Sequence, residues 1–215
     1  AAVLSCSSFG DSTSQTIAQA LTQYADLDRP FILDLRLNPG GVTEDAARSA
    51  SYFIGSGTMA YFQDSQGKYT RILAGSDSSD LTDQPLIILT DGNSASASEL
   101  FSSAIRDYGA GIALGSRTYG KGVAQIILDQ ENNPTLFDGD AFKITTYRFY
   151  SPSGSTNDTI GVLPTLLLSQ TSTPTAALLL TAPKPARAEG CLKLVLAGQI
   201  FYLDLAQATE ADNQA

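Results

Sequence analysis

A serine-rich run, Asp91-Gly92-Asn93-Ser94-Ala95-Ser96-Ala97-Ser98-Glu99, and a Gly120-Lys121-Gly122 step carry residue types suited to acyl-transfer chemistry. A serine hydroxyl is a weak nucleophile until a positioned base takes its proton. The chain has no histidine, so no imidazole is available, and lysine is an alternative base used with serine on other folds. Lys121, one of five lysines, stands between glycines that allow close backbone approach, which makes it the candidate base. A lysine serves at neutral pH only where burial or neighbouring cations favour its neutral form. Read structurally, the same residues are a helix cap and a hairpin turn with a solvated lysine.

The elements that must position these residues are visible as periodicities. Val3 to Phe9 reads as a strand, followed by Ile17, Ala18, Leu21 and Tyr24 at helical spacing after a cap at Ser12. Phe31 to Leu35 is a second strand. It runs into the sharp turn Asn38-Pro39-Gly40-Gly41, after which Thr43 caps a helix with Glu44 and Asp45 in its first turn and Ala46, Ala50, Phe53 and Ile54 as its buried stripe. Thr58 to Phe62 and Tyr69 to Leu73 flank a hairpin turn at Asp64-Ser65-Gln66-Gly67. The aliphatic run Leu86 to Thr90 suits a parallel strand covered on both faces, and it delivers the chain into the serine run. Leu100, Phe101, Ala104, Ile105 and Tyr108 then form one helical face, stopped by Gly109, so Ser96 falls at a helix start just past a strand end. Two strand-to-helix loops, at Asn38 to Gly41 and Asp91 to Ser96, thus lie where open α/β sheets gather their sites. Amides at such helix starts are free donors.

Strands at Ile112 to Leu114, Val123 to Leu128 and Ala141 to Tyr150 complete a main domain over residues 1–168. Residues 169–189 shift to Ser, Thr, Pro and Ala, a linker or extension. In 190–215, alternation at Leu192, Leu194 and Leu196, a turn at Ala197-Gly198, and alternation at Ile200 and Tyr202 predict a small hairpin with a polar tail.

Composition narrows the function classes. At 215 residues with 16% charged residues and 43% hydrophobic residues, the chain can build a substantial core. A net charge of −9 with no basic cluster excludes an electrostatic nucleic-acid or anionic-membrane partner. No apolar stretch is long enough to span a bilayer, so the segment reads as a soluble domain, with membrane attachment only if upstream sequence supplies it. The start at Ala1-Ala2-Val3, without methionine, fits a piece of a longer, exported chain working outside the cytoplasm. Cys6 and Cys191 form either a disulfide or a pair of buried thiols. With no histidine, no metal or other cofactor is expected.

At this point the residues resemble a known family. Phe31 to Gly41 (FILDLRLNPGG), Ser94 to Glu99 (SASASE), Gly120 to Gln125 (GKGVAQ) and Lys143 to Gly154 (KITTYRFYSPSG) are similar to the carboxyl-terminal processing, or tail-specific, serine proteases of peptidase family S41, in order and in spacing. The resemblance covers Val3 to Pro164. It implies an α/β fold with a crotonase/ClpP-like core of repeated ββα units, here with a small C-terminal β extension, and a polypeptide substrate. Carried over residue by residue, it makes Ser96 the nucleophile, Lys121 the general base and Gln125 the residue that orients the lysine. The oxyanion hole is expected from the backbone amide of Ala97 with one from Gly40 or Gly41, donors worth roughly 3 kcal/mol each where measured. Glu99 is read as favouring the helix start, and Asp107 as a hydrogen-bonding or ion-pairing structural group. Asp34 and Arg36 are read as a pair supporting the Gly-Gly turn.

Three departures accompany the resemblance. The PDZ segment that usually precedes such a core is not seen in this sequence. Thr165 stands where the family often has an aspartate, and Ser155 to Thr159 lacks the usual residues. The alternative class is a non-catalytic, ligand- or peptide-binding module on the same fold, and a third is an inactive segment of a larger assembly. Retention of Ser96, Lys121 and Gln125 favours hydrolysis.

Overall fold

The computed structural model describes residues 2–26, 30–75, 82–135, 139–169, 180–181, 191–196 and 199–204. The chain order is β1 (Ala2–Ser5), α1 (Thr13–Gln23), β2 (Phe31–Asp34), α2 (Thr43–Ile54), β3 (Thr58–Gln63), β4 (Tyr69–Leu73), β5 (Leu86–Thr90), α3 (Ala97–Tyr108), β6 (Gly111–Gly115), β7 (Val123–Asp129), β8 (Ala141–Tyr150) and β9 (Leu166–Leu167). Three further strands follow: β10 (Leu180–Thr181), β11 (Cys191–Leu196) and β12 (Gln199–Asp204).

The central sheet is parallel, in the order β1-β2-β5-β6-β9. Its middle strands are mostly apolar and buried because both faces are covered. Phe31, Leu33, Leu86 and Ile88 point to the face carrying the helices, whereas Ile32, Ile87, Leu89, Ile112 and Leu114 form a second buried cluster on the opposite face with Leu166 and Leu168. Alternation along each strand makes this division, so a one-residue slip in register would exchange the two sets. Phe101 of α3 anchors the helical face. Its ring lies 5.8 Å from that of Phe9 and meets Phe53 of α2 edge-on at 6.2 Å. Burial of one such ring contributes about 2–3 kcal/mol.

A second sheet, β4-β3-β8-β7, is antiparallel. Its β7–β8 pairing shifts between Ala124 and Gln125, leaving Thr146 as the extra residue of a bulge. Strands β11 and β12 pair antiparallel in the register Leu192↔Leu203 and Leu194↔Phe201. The predicted turn at 197–198, most of the 169–189 extension and the polar tail lie outside the described residues.

Three local expectations are corrected. Strand β1 ends at Ser5, and Phe9 makes an isolated parallel bridge to Gly41. Thr43 lies inside α2, with Val42 at the N-cap and no side-chain cap. Ser12 is the N-cap of α1, but its side chain makes no cap bond. The polar group there is Asp45 from α2, almost fully buried, which accepts from the Ser14 amide at 3.2 Å and the Ser14 hydroxyl at 2.7 Å. Its carboxylate serves α1 as well as the start of its own helix, a tertiary arrangement that local spacing does not encode.

Candidate active site

Parallel pairing of β2 with β5 and of β5 with β6 sets three loops side by side at the carboxyl ends of the strands. The loop after β5 is stitched to the loop after β2. The Ser94 hydroxyl donates to Leu35 O at 2.8 Å, the Ala95 amide to Asn38 O at 2.9 Å, and the Ser98 hydroxyl to Asn38 O at 3.2 Å. The loop after β6 joins through the Tyr119 amide, which donates to Ser94 O at 2.9 Å. These contacts separate the three candidate serines. Ser94 and Ser98 are fully buried with their hydroxyls committed to carbonyls, whereas Ser96 is half-buried at the N-cap of α3.

Ser96 has φ 56°, a left-handed value rare outside glycine. Glu99 supports it. This fully buried carboxylate accepts from the Ser96 amide at 2.9 Å and the Lys121 amide at 2.9 Å through Oε2. Through Oε1 it accepts from the Gly120 amide at 2.7 Å and the Thr118 hydroxyl at 2.6 Å. Sequence reasoning saw Glu99 only as an acid at a helix start; that it also gathers the Lys121 loop is a long-range fact.

The Gly40-Gly41 turn lies against the Ser96 loop. A Cβ on Gly40 would fall 2.7 Å from Ser96 Cβ and 2.9 Å from the Ala97 amide nitrogen, and its φ of +107° is open to glycine. The Gly40 amide is occupied, donating to Asn38 Oδ1 at 2.8 Å, and Asn38 Nδ2 in turn donates to Cys6 O at 2.9 Å. Gly41 differs. In its bridge with Phe9 the flanking groups, Gly40 O and the Val42 amide, are the ones bonded to Phe9, so the Gly41 amide points the other way. The Ala97 amide, first in its helix, is one of the donors that a helix leaves unpaired.

Asp91 organises the loop from below. Burial alone would raise its carboxyl, but the amides of Leu37 at 3.0 Å, Asn93 at 2.9 Å and Ser94 at 3.1 Å outweigh it and hold the group below the ordinary aspartate range. Asp34 and Arg36 form a bidentate pair, with Nε to Oδ1 at 2.9 Å and Nη2 to Oδ2 at 2.6 Å. Asp107 pairs with Arg106 and accepts from the Ser153 amide at 3.0 Å, tying the end of α3 to the Ser151–Gly154 turn. Cys6 is a free buried thiol, pushed up to about 11 chiefly by burial.

Lys121 is half-buried. Its backbone is fixed beside Ser96 through Glu99, but among the described residues no hydrogen bond joins its amine to the Ser96 hydroxyl or to Gln125. Gln125 is exposed at the bulge and donates to Thr145 Oγ1 at 3.3 Å. The loops of Ser96, Ala97, Gly41 and Lys121 are therefore brought together, while the Gln125 side chain is turned to β8.

Residues 1–168 match the model of peptidase family S41, and the chain belongs to that family. It is 34% identical over 143 residues to the carboxy-terminal-processing protease of Bartonella bacilliformis, covering 65% of this chain and 31% of that protein. It is 32% identical over 166 residues to the chloroplastic C-terminal processing peptidase of Tetradesmus obliquus, covering 75% of this chain and 34% of the relative. Among solved structures it is similar to a photosystem II D1 C-terminal processing protease, with TM-score 0.66, 27% identity, and coverage of 78% of this chain and 42% of that one. The chain thus spans about a third of the length of these two curated relatives. The α/β fold with its parallel sheet is the crotonase/ClpP-like core expected from the sequence.

Proposed function

We propose that this chain is a serine endopeptidase of the C-terminal processing type that hydrolyses peptide bonds in unstructured polypeptides. Ser96 attacks the scissile carbonyl, Lys121 takes its proton and returns it to the leaving amine, and the amides of Ala97 and Gly41 receive the oxyanion. Gln125 orients the lysine once the side chains close around a substrate, since catalytic hydrogen bonds are commonly loose until substrate is bound. The observation that carries this reading is the Glu99 carboxylate, which fixes the Ser96 and Lys121 loops to each other. The reading includes residues 1–168 as the catalytic core, with 169–189 and 190–215 as its extension, and an extracytoplasmic place of work. Among the described residues no helix is long and apolar enough to cross a membrane.

A second reading, a peptide-binding module with an idle site, draws on one observation, the Gln125 side chain bonded to Thr145. Hydrolysis of reduced, unfolded polypeptide by wild type and by Ser96→Ala separates the two. The protease reading expects cleavage by wild type alone, with both proteins equally folded; binding of the polypeptide without cleavage by either supports the module.

A further inference from the structure

Three non-glycine residues have left-handed backbone among the described residues: Leu37 (φ 62°), Ser96 (φ 56°) and Thr159 (φ 61°). All three ring the candidate site. Ser96 is the proposed nucleophile, and the Thr159 amide donates to Gly120 O beside Lys121. Leu37 immediately precedes Asn38. Its backbone has a clear task, donating to Asp91 Oδ1 at 3.0 Å, but glycine or asparagine would do this with less strain than a bulky leucine. The leucine is also 69% exposed, so burial in the core does not account for it. Strain and exposed apolar surface at one residue beside a catalytic turn point to the side chain itself.

Leu37 forms one wall of a cavity of about 390 Å³ shared with Cys6, Asp34, Arg36 and Asp91. The one cation lining the cavity is already paired. Arg36 is held by Asp34, and Asp91 stays ionised on three amides, so an anionic guest would lose hydration, find no free cation and face an unneutralised carboxylate. An apolar guest would lie on Leu37. Gly40, three residues further on, touches Ser96, which puts Leu37 within about 11 Å of that contact by chain length. Extended substrate advances about 3.3 Å per residue, so residues two to four from the scissile bond can reach the cavity.

We propose that Leu37 and this cavity form a substrate subsite that selects an apolar over an anionic side chain two to four residues from the cleaved bond. The proposal rests on Ser96 as the nucleophile. Its test begins by mapping wild-type cleavage of unfolded casein by mass spectrometry. Quenched-fluorescence peptides then place one leucine or one aspartate at each of four positions on either side of a mapped bond. At one position two to four residues away, wild type should prefer leucine by about tenfold in kcat/KM. Leu37→Gly should melt higher because the strain is relieved, yet lose that preference. A structural role predicts no such division between stability and selectivity, and an unchanged preference in a folded Leu37→Gly overturns the subsite while leaving the protease reading intact. If wild type cleaves nothing, the protease reading fails, and the subsite is decided by fluorescence anisotropy of the same peptides on Ser96→Ala. A leucine preference abolished in the Ser96→Ala, Leu37→Gly double variant supports it, and equal binding of leucine and aspartate peptides overturns it.

Discussion

The backbone amides of Ser96 and Lys121 donate to the same oxygen, Oε2 of Glu99, each at 2.9 Å. The Ser96 loop at the end of β5 and the Lys121 loop beyond β6 are thereby held by one buried acceptor, at a separation set by two short hydrogen bonds. Glu99→Gln replaces one acceptor oxygen with a donor that must face amides. Expected results are a stability loss of about 2–4 kcal/mol in denaturant melts and at least a hundredfold fall in kcat/KM, since charge-assisted buried bonds contribute about 1.5–3 kcal/mol each. Near-wild-type turnover in Glu99→Gln would show that loop placement by this carboxylate is unnecessary.

Gly40→Ala probes the contact between the Gly-Gly turn and Ser96. The added Cβ falls within 3 Å of Ser96 Cβ and the Ala97 amide nitrogen, so the turn must retreat from the proposed oxyanion donors. Loss of one such donor costs about a hundred- to a thousandfold in kcat. Turnover at saturating substrate should fall by about that factor while the far-ultraviolet spectrum is retained.

Asp91 gives a pH signature of the loop. Its folded carboxyl lies below the ordinary value, so its contribution is present above the unfolded pKa of about 3.9 and is lost as pH falls through the folded pKa. Asp91→Asn should be less stable than wild type at pH 7, and the gap should narrow below about pH 4 in urea titrations. A gap independent of pH would mean that the three amides do not depend on the ionised carboxylate.

Cys6 gives the opposite window. The thiol is raised from 9.0 to about 11 in the folded chain, so its share of stability is complete below about pH 9 and disappears as pH rises to about 11. The stability advantage of wild type over Cys6→Ala should shrink progressively between pH 8 and pH 11. Folded protein should also resist alkylation at Cys6 at pH 8, and rapid labelling without unfolding would contradict the burial.

Much of this was legible from local pattern. Aliphatic runs located β2 and β5, the period-3.6 face located α3, and the strand-to-helix position of Ser96 followed from the two together. What escaped was chosen by tertiary partners. Asp45 looked like an ordinary first-turn acid until the fold laid α1 across it, and Glu99 looked like a cap until the β6 loop returned to it. Leu37 read as part of a motif, with no sign that its backbone would be left-handed. The Gly40 and Gly41 amides were indistinguishable in sequence; the Asn38 side chain makes the difference by taking the first.

The central claim is that Ser96 is made nucleophilic by Lys121, and covalent labelling tests it most directly. Wild type, Lys121→Ala and Lys121→Arg are treated with a sulfonyl fluoride, and the modified peptide is identified by mass spectrometry. The account predicts a single adduct on Ser96 in wild type and none in either lysine variant, because neither a methyl group nor a guanidinium can accept the hydroxyl proton. An adduct on Ser94 or Ser98, or undiminished labelling of Ser96 in folded Lys121→Arg, would contradict it.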